Sequence, residues 1–202
     1  MGIYRQGGKR AMDIVVGGLA AICASPLLVV AGLVSLVVQG RPVLFLQQRA
    51  GRDGVPFDIY KLRTMTPATE SMGPEITPWG KLLRQSSVDE LPQLLNVLGG
   101  DMSLVGPRPL HVRYVARYTS EQRRRLDVPP GLTGAAQTAG RNALTWEEKL
   151  QLDVEYVDGV TFKNDLQLLL RTAGLVAQPW RSRDTTGRGV EFVQKGALDG
   201  DS

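Results

Sequence analysis

The sequence predicts an α+β fold, mainly helical, laid against one apolar N-terminal segment. Residues 14–38 read IVVGGLAAICASPLLVVAGLVSLVV, about 25 positions without a charge, where ~20 suffice to cross a hydrocarbon core as a helix. A single pair of β-rich runs follows, at 42–48 and 56–65, on either side of Gly-Arg-Asp-Gly, which reads as a β-hairpin. Beyond Pro78 the signals are mostly helical.

The composition narrows the chemistry. With 202 residues there is room for one core, and 43% hydrophobic with 22% charged residues excludes a disordered or collagen-like chain. The only cysteine, Cys23, rules out an intramolecular disulfide framework and a multi-cysteine zinc site. The only histidine, His111, rules out an HExxH helix or a His-rich metal centre. Any catalysis falls to carboxylates and arginines. The net charge of +4 comes mostly from arginine, whose planar fork suits nucleotides, phospholipid headgroups and nucleic acid alike.

Along the chain, the apolar run outlasts the ~7–15 residues of a signal-peptide core. Arg5, Lys9 and Arg10 precede it and Arg41, Arg49 and Arg52 follow it, so the positive-inside bias asks both ends to stay in the cytoplasm. Ser25 and Pro26 sit near its middle. Proline lacks an N–H there, and a serine hydroxyl can bond the freed carbonyl. The residues alone leave a helix–break–helix re-entrant segment and a kinked spanning helix both open. The stretch 66–78, with its prolines and hydroxyl residues, reads as a surface loop. Helices are expected at 120–126, from a Thr145/Glu148 capping box to about residue 157, and at 165–178. The last has a broad apolar face that either completes the core or lies in the membrane interface. The organisation expected is a membrane segment over 1–40, a body over 41–180 and a polar tail over 181–202. The acidic pair Asp199 and Asp201 in that tail reads as solvated chain, although Asp-x-Asp is formally a metal motif.

The candidate chemistry starts at SSVDELPQLLNVL, residues 86–98. Asp89 and Glu90 fall at a helix N-terminus, where acids favour the helix dipole, and Ser87 with Glu90 fits a capping box. Pro92 moves the helix start to Asp89 or later and makes Asp89 itself the expected N-cap. Capping explains one acid only. Arg84 lies just upstream, and GGDMSLVGPRP at 99–109 frames Arg108 as a rigid phosphate clamp. In PPGLTG at 129–134 and Gly140-Arg141-Asn142, glycines permit close backbone approach to an anion. Carboxylate pair, framed arginines and membrane segment together suggest phosphoryl transfer to a lipid-soluble acceptor.

At these residues the chain resembles the bacterial sugar transferases known as monotopic phosphoglycosyl transferases, in their small form. The resemblance runs from Lys9 to about Trp180. It rests on KRAMD at 9–13, Ser25-Pro26, QRAG at 48–51, KLRTM at 61–65, DELPQL at 89–94, GDMSLVGPRP at 100–109, PGLTG at 130–134 and Gly140-Arg141-Asn142. Ala135, where tryptophan is usual, and Ala139, where asparagine or serine is common, depart from the pattern in a stretch read as substrate-facing. The resemblance implies transfer of a sugar 1-phosphate from a UDP-sugar to a polyprenol phosphate, such as undecaprenyl phosphate, with release of UMP. The implied route is ping-pong, through an aspartyl phosphosugar on Asp89. Mg²⁺ is held partly by Asp89, and Glu90 activates or positions the lipid phosphate. Arg108 matches the family's phosphate-binding arginine, with Arg84, Arg141, Lys61 and Arg63 as further candidates. It also implies a re-entrant segment broken at Ser25 and Pro26, amphipathic interfacial helices, and a catalytic body on the cytoplasmic face of the bacterial inner membrane, without nucleic acid as partner. A homodimer is left open. The competing class is a membrane-tethered module binding anionic lipid or nucleic acid, for which Arg123, Arg124 and Arg125 form the best patch. The expectation for that run is a solvated helix face.

Overall fold

The computed structural model describes residues 3–67, 73–140 and 143–176. After a π-helical turn at Tyr4–Gly8, helix α1 covers Lys9–Gln39, 31 residues and about 46 Å. The expected break is not there. Pro26 lies inside the helix, and the Ile22 carbonyl it cannot serve accepts a bond from Ser25 Oγ at 2.8 Å. One hydroxyl replaces one amide, so the helix continues.

One face of α1 is in contact with the rest of the chain along its whole length. Near the start, Arg10 donates to the carbonyls of Val97 (2.5 Å) and Leu98 (2.6 Å), and Asp13 accepts from Ser103 Oγ and the Leu104 amide, both 2.9 Å. Ala20, Ala21 and Ala24 pack on the main core, and Ala31 joins Leu62 and Leu83 in a second cluster. Towards the end, Ser35 Oγ accepts from Trp79 Nε1 at 2.8 Å and Gln39 Oε1 from Thr77 Oγ1 at 3.1 Å. The opposite face exposes Val15, Leu19, Ile22, Val29, Val30 and Leu33. The helix therefore carries small residues toward the body and large apolar ones away from it, the reverse of a water-facing surface helix.

The hairpin forms as expected, β1 (Leu44–Ala50) antiparallel to β2 (Pro56–Leu62), with Leu44 opposite Leu62 and Ala50 opposite Pro56. Asn96 extends its edge by accepting from the Tyr60 amide at 3.1 Å and donating to the Asp58 carbonyl at 2.8 Å. Helix α2 (Pro78–Ser86) is capped by Thr77 and crosses the strand end so closely that a Cβ on Gly80 would strike the Thr64 carbonyl. A 3₁₀ segment, Val88–Gln93, leads into α3 (Leu94–Gly99) and β3 (Ser103–Val105). Helix α4 (Ser120–Arg123) precedes β4 (Gly131–Thr133), which pairs parallel to β3, and α5 (Ala135–Ala139) follows. The capping box at Thr145 and Glu148 opens α6 (Trp146–Asp158).

Helix α7 (Phe162–Val176) starts earlier than its sequence pattern suggested, and its broad apolar face is divided between the core and the surface. Asp165 and Leu168 are buried, while Leu166, Leu170, Leu175 and Val176 are exposed. The main core joins α3, β3, α6 and α7 through Val97, Leu104, Val105, Tyr156, Val157 and Leu168. Asp165 ties three elements together, accepting from Tyr4 Oη (2.6 Å), Lys9 Nζ (2.6 Å) and Tyr156 Oη (2.8 Å).

Candidate active site

The acid pair lies where the chain reverses between two helical segments. Ser87 ends α2 in the left-handed conformation (φ 58°) and Val88–Gln93 turns away as 3₁₀ helix, with Pro92 inside it. Neither capping role expected for this stretch is present. The 3₁₀ segment has no side-chain cap, and its N-cap is Ser87 rather than Asp89. Asp89 is 8% exposed and accepts no hydrogen bond or ion pair among the described residues. The structural explanation of this carboxylate thus loses its basis, because a buried acid without donors costs stability instead of adding it.

Glu90 has the opposite surroundings. Its Oε1 receives Lys61 Nζ from β2 at 2.9 Å and Arg108 Nη2 from the Gly-Pro-Arg-Pro loop at 2.7 Å. Burial works against its ionisation, yet Arg108 and Lys61 outweigh it and hold the carboxyl well below the usual carboxylate range. Burial, then the charge on Glu90, push Asp89 up to about 6, against the pull of Lys61, Arg84 and Arg108. Adjacent acids are thereby split into a permanently ionised one and one that titrates near neutrality, an arrangement typical of functional carboxylates.

The remaining candidates are distributed unevenly. Arg84 donates Nε to Thr64 Oγ1 at 2.9 Å, close enough to Asp89 to influence its charge. Arg63 is turned to the other side, where it caps α1 by donating to the carbonyls of Gln39, Gly40 (2.9 Å) and Arg41 (3.4 Å). Arg141 lies outside the described residues, as do the tail and its Asp199 and Asp201. The glycines of PPGLTG serve a different purpose from the one expected. A Cβ on Gly131 or Gly134 would collide with Gly106, so they let β3 and β4, and the loop leading to Arg108, pass backbone to backbone.

The arginine run is a solvated face only in part, since Arg123 is exposed and Arg124 half-buried while Arg125 is buried. Arg125 is 3% exposed and donates to Asp153 Oδ2 (2.7 and 3.0 Å), Tyr118 Oη (3.1 Å) and the Arg108 carbonyl (2.7 Å). It fixes the backbone that presents Arg108. Arg124 pairs with Glu121 and Asp158. With Arg125 buried and Arg124 paired to Glu121 and Asp158, Arg123 is the fully exposed member of the run. Nothing local in the sequence distinguishes Arg125 from its neighbours, since the partner Asp153 is 28 positions away.

Two further residues line a small cavity with Lys61, Arg108, Ile59 and Pro109, namely Arg49 from β1 and Gln93 from the 3₁₀ segment. Their only sequence signal is their place in QRAG and DELPQL. Among the described residues no cluster of three or more His, Cys, Asp or Glu side chains exists. A hard cation would have to use Asp89 and oxygens from a substrate, which is how Mg²⁺ is often held, by one or two carboxylates plus phosphates. The unpartnered Asp89 carboxylate fits that demand.

The comparisons with known proteins agree with one another. The family model of the bacterial sugar transferases matches residues 4–179. The chain is 48% identical over 170 residues to the uncharacterized sugar transferase EpsL of Bacillus subtilis, covering 81% of this chain and 84% of that one. It is 40% identical over 182 residues to the UDP-glucose:undecaprenyl-phosphate glucose-1-phosphate transferase of Caulobacter vibrioides, covering 81% and 67%. Against the undecaprenyl-phosphate galactose phosphotransferase of Salmonella typhimurium it is 36% identical over 191 residues, covering 83% of this chain but 40% of that longer protein. A match that runs from the π-helical turn ahead of α1 to just beyond α7, through the acid pair and the Arg108 loop, establishes that this chain belongs to the bacterial sugar transferase family.

Proposed function

We propose that the protein transfers a sugar 1-phosphate from a UDP-sugar to a polyprenol phosphate, undecaprenyl phosphate being the acceptor named for its relatives. The single observation that carries this reading is Asp89, a buried carboxylate without structural partners beside a Glu90 clamped by two cations. An Asp89 oxygen attacks the phosphorus that bears the sugar, the bond from that phosphorus to the UMP oxygen breaks, and UMP leaves. An oxygen of the lipid phosphate then attacks the same phosphorus, the bond to Asp89 breaks, and the carboxylate is regenerated. Both steps move negative charge between oxygens, and Arg108, Lys61 and Arg84 are placed to offset it. Glu90 acts by positioning: a carboxyl held this far below its ordinary range is a poor base, but it fixes Lys61 and Arg108 beside the reacting phosphate. Bound Mg²⁺, with Asp89 among its ligands, would supply further charge neutralisation at the phosphate oxygens.

The apolar surfaces support a monotopic arrangement on the cytoplasmic face of the inner membrane. Helix α1 is the one described helix long and apolar enough to cross a membrane, but both its ends are bonded to the same body, through Arg10 and Asp13 at one and Ser35 and Gln39 at the other. Its outward face and the exposed side of α7 would lie in lipid with both ends cytoplasmic, as the flanking cations favour. A polyprenol substrate is then delivered in the plane of the membrane.

The test is a UMP-release screen across UDP-sugars with Mg²⁺, with and without polyprenol phosphate. The right donor releases at most one UMP per protein without acceptor and many with it. Rapid-quench mass spectrometry then finds a phosphosugar on the peptide containing Asp89. No release from any donor in the presence of acceptor would overturn the transfer reading. Turnover without an adduct would replace the covalent route by direct displacement.

A further inference from the structure

We infer that Arg49 and Gln93 form a second phosphate subsite beside the acid pair, holding a substrate phosphate other than the one Asp89 attacks. The inference deepens the transfer reading above and rests on it. The cavity between the hairpin, the 3₁₀ segment and the Arg108 loop is walled by Arg49, Ile59, Lys61, Gln93, Arg108 and Pro109. Asp89 is not part of that wall.

Its polar lining is rich in unanswered donors. Gln93 is 3% exposed, and its Nε2 is buried without a hydrogen-bond partner. Arg49 bonds Gln47 Oε1 through one Nη, but its Nε is buried and unpartnered. No carboxylate pairs with Arg49 among the described residues, and Lys61 and Arg108 share a single oxygen of Glu90. Burial, together with Arg108, lowers Arg49 to about 10, as expected of a cation short of a counter-charge. Buried donors left unpaired are unfavourable in the free protein. An acceptor with several oxygens and negative charge, such as a phosphate, would resolve them together. The reaction offers two besides the one attacked: that of the leaving nucleotide and that of the lipid acceptor.

The experiment measures binding by calorimetry to the full chain in lipid nanodiscs, using inorganic phosphate, UMP, uridine and a short-chain polyprenol phosphate as probes. Arg49→Gln and Gln93→Leu are compared with wild type at matched thermal stability, and Gln93→Leu carries the test if Arg49→Gln does not fold. Wild type is expected to bind inorganic phosphate. Arg49→Gln weakens it at least tenfold, Gln93→Leu several-fold, and Arg49→Lys recovers part of the loss. Uridine binding stays unchanged, which a general loss of packing would not produce. A matching loss for UMP alone assigns the subsite to the leaving nucleotide, and a loss for polyprenol phosphate alone assigns it to the acceptor. Unchanged binding of all phosphate probes in both variants, or none in wild type, overturns the inference. Variant-sensitive phosphate binding in a protein that releases no UMP from any donor would instead sink the transfer reading and leave the subsite standing.

Discussion

Asp165 and Asp89 are both buried carboxylates in one small body, and their surroundings differ completely. Asp165 is 0% exposed and takes donors from Lys9, Tyr4 and Tyr156. Asp89 is 8% exposed and takes none. The first joins α1, α6 and α7, as a satisfied buried charge can. The second is raised in pKa by burial and by its neighbour Glu90, a cost the fold carries without a structural return. The contrast teaches that burial alone does not make an acid structural: the count of donors separates the acid that ties elements together from the one the proposed reaction would use.

The contrast breaks if the two acids respond alike to removal. The largest effect expected is on turnover: Asp89→Asn, which preserves shape but is a poor nucleophile, lowers the rate of UMP release by at least about a thousandfold with the protein still folded. Activity near wild type at matched thermal stability would return Asp89 to a structural role. Asp165→Asn behaves in the opposite sense. It leaves Lys9, whose side chain is 11% exposed, buried without its counter-charge, and costs roughly 3–5 kcal/mol of stability in denaturant titrations in detergent. The fraction that remains folded turns over as before.

A third experiment sharpens the comparison through pH. The Asp89 carboxyl has a folded pKa of about 6 against 3.8 for the free group, so wild type has its full stability relative to Asp89→Asn below about pH 4 and loses it as pH rises through 6. At pH 8 the Asn variant is therefore expected to be the more stable protein, by roughly 2–3 kcal/mol, with no difference near pH 3.5. Thermal melts across that range check the sign. The same titration places the acid limb of kcat/KM near pH 6 in wild type, and a limb near 4 would show that Asp89 finds partners in solution. The smallest effect is expected in α1. Because Ser25 already replaces the bond that Pro26 lacks, changing Ser25 to leucine and Pro26 to alanine does little while the ties at both ends persist. An Ile3→Cys reporter in a Cys23→Ser background stays protected from impermeant reagents in intact cells, for the double variant as for wild type. Labelling of the wild-type background would end the monotopic reading.

What was legible in the sequence was local. The hairpin follows from β-rich runs around a four-residue turn, and the Thr145/Glu148 box from residues three apart whose side chains and amides bond each other. The apolar segment needs only a count of uncharged positions, and the acid pair and the Gly-Pro-Arg-Pro loop are visible as contiguous motifs. What tertiary structure decided depends on partners remote in the chain. Arg63 reads like a phosphate ligand beside Lys61, yet the carbonyls of α1, some 23 positions earlier, claim it. Arg125 reads like solvent-facing charge until Asp153 packs onto it. Gly131 and Gly134 read like an anion cradle until Gly106 occupies the space their missing Cβ atoms leave. A sequence determines periodicity, caps and charge balance because these act over a turn or two of backbone. Which buried charge is satisfied and which is left bare is settled only when distant donors arrive, and here they arrive at Asp165 and not at Asp89.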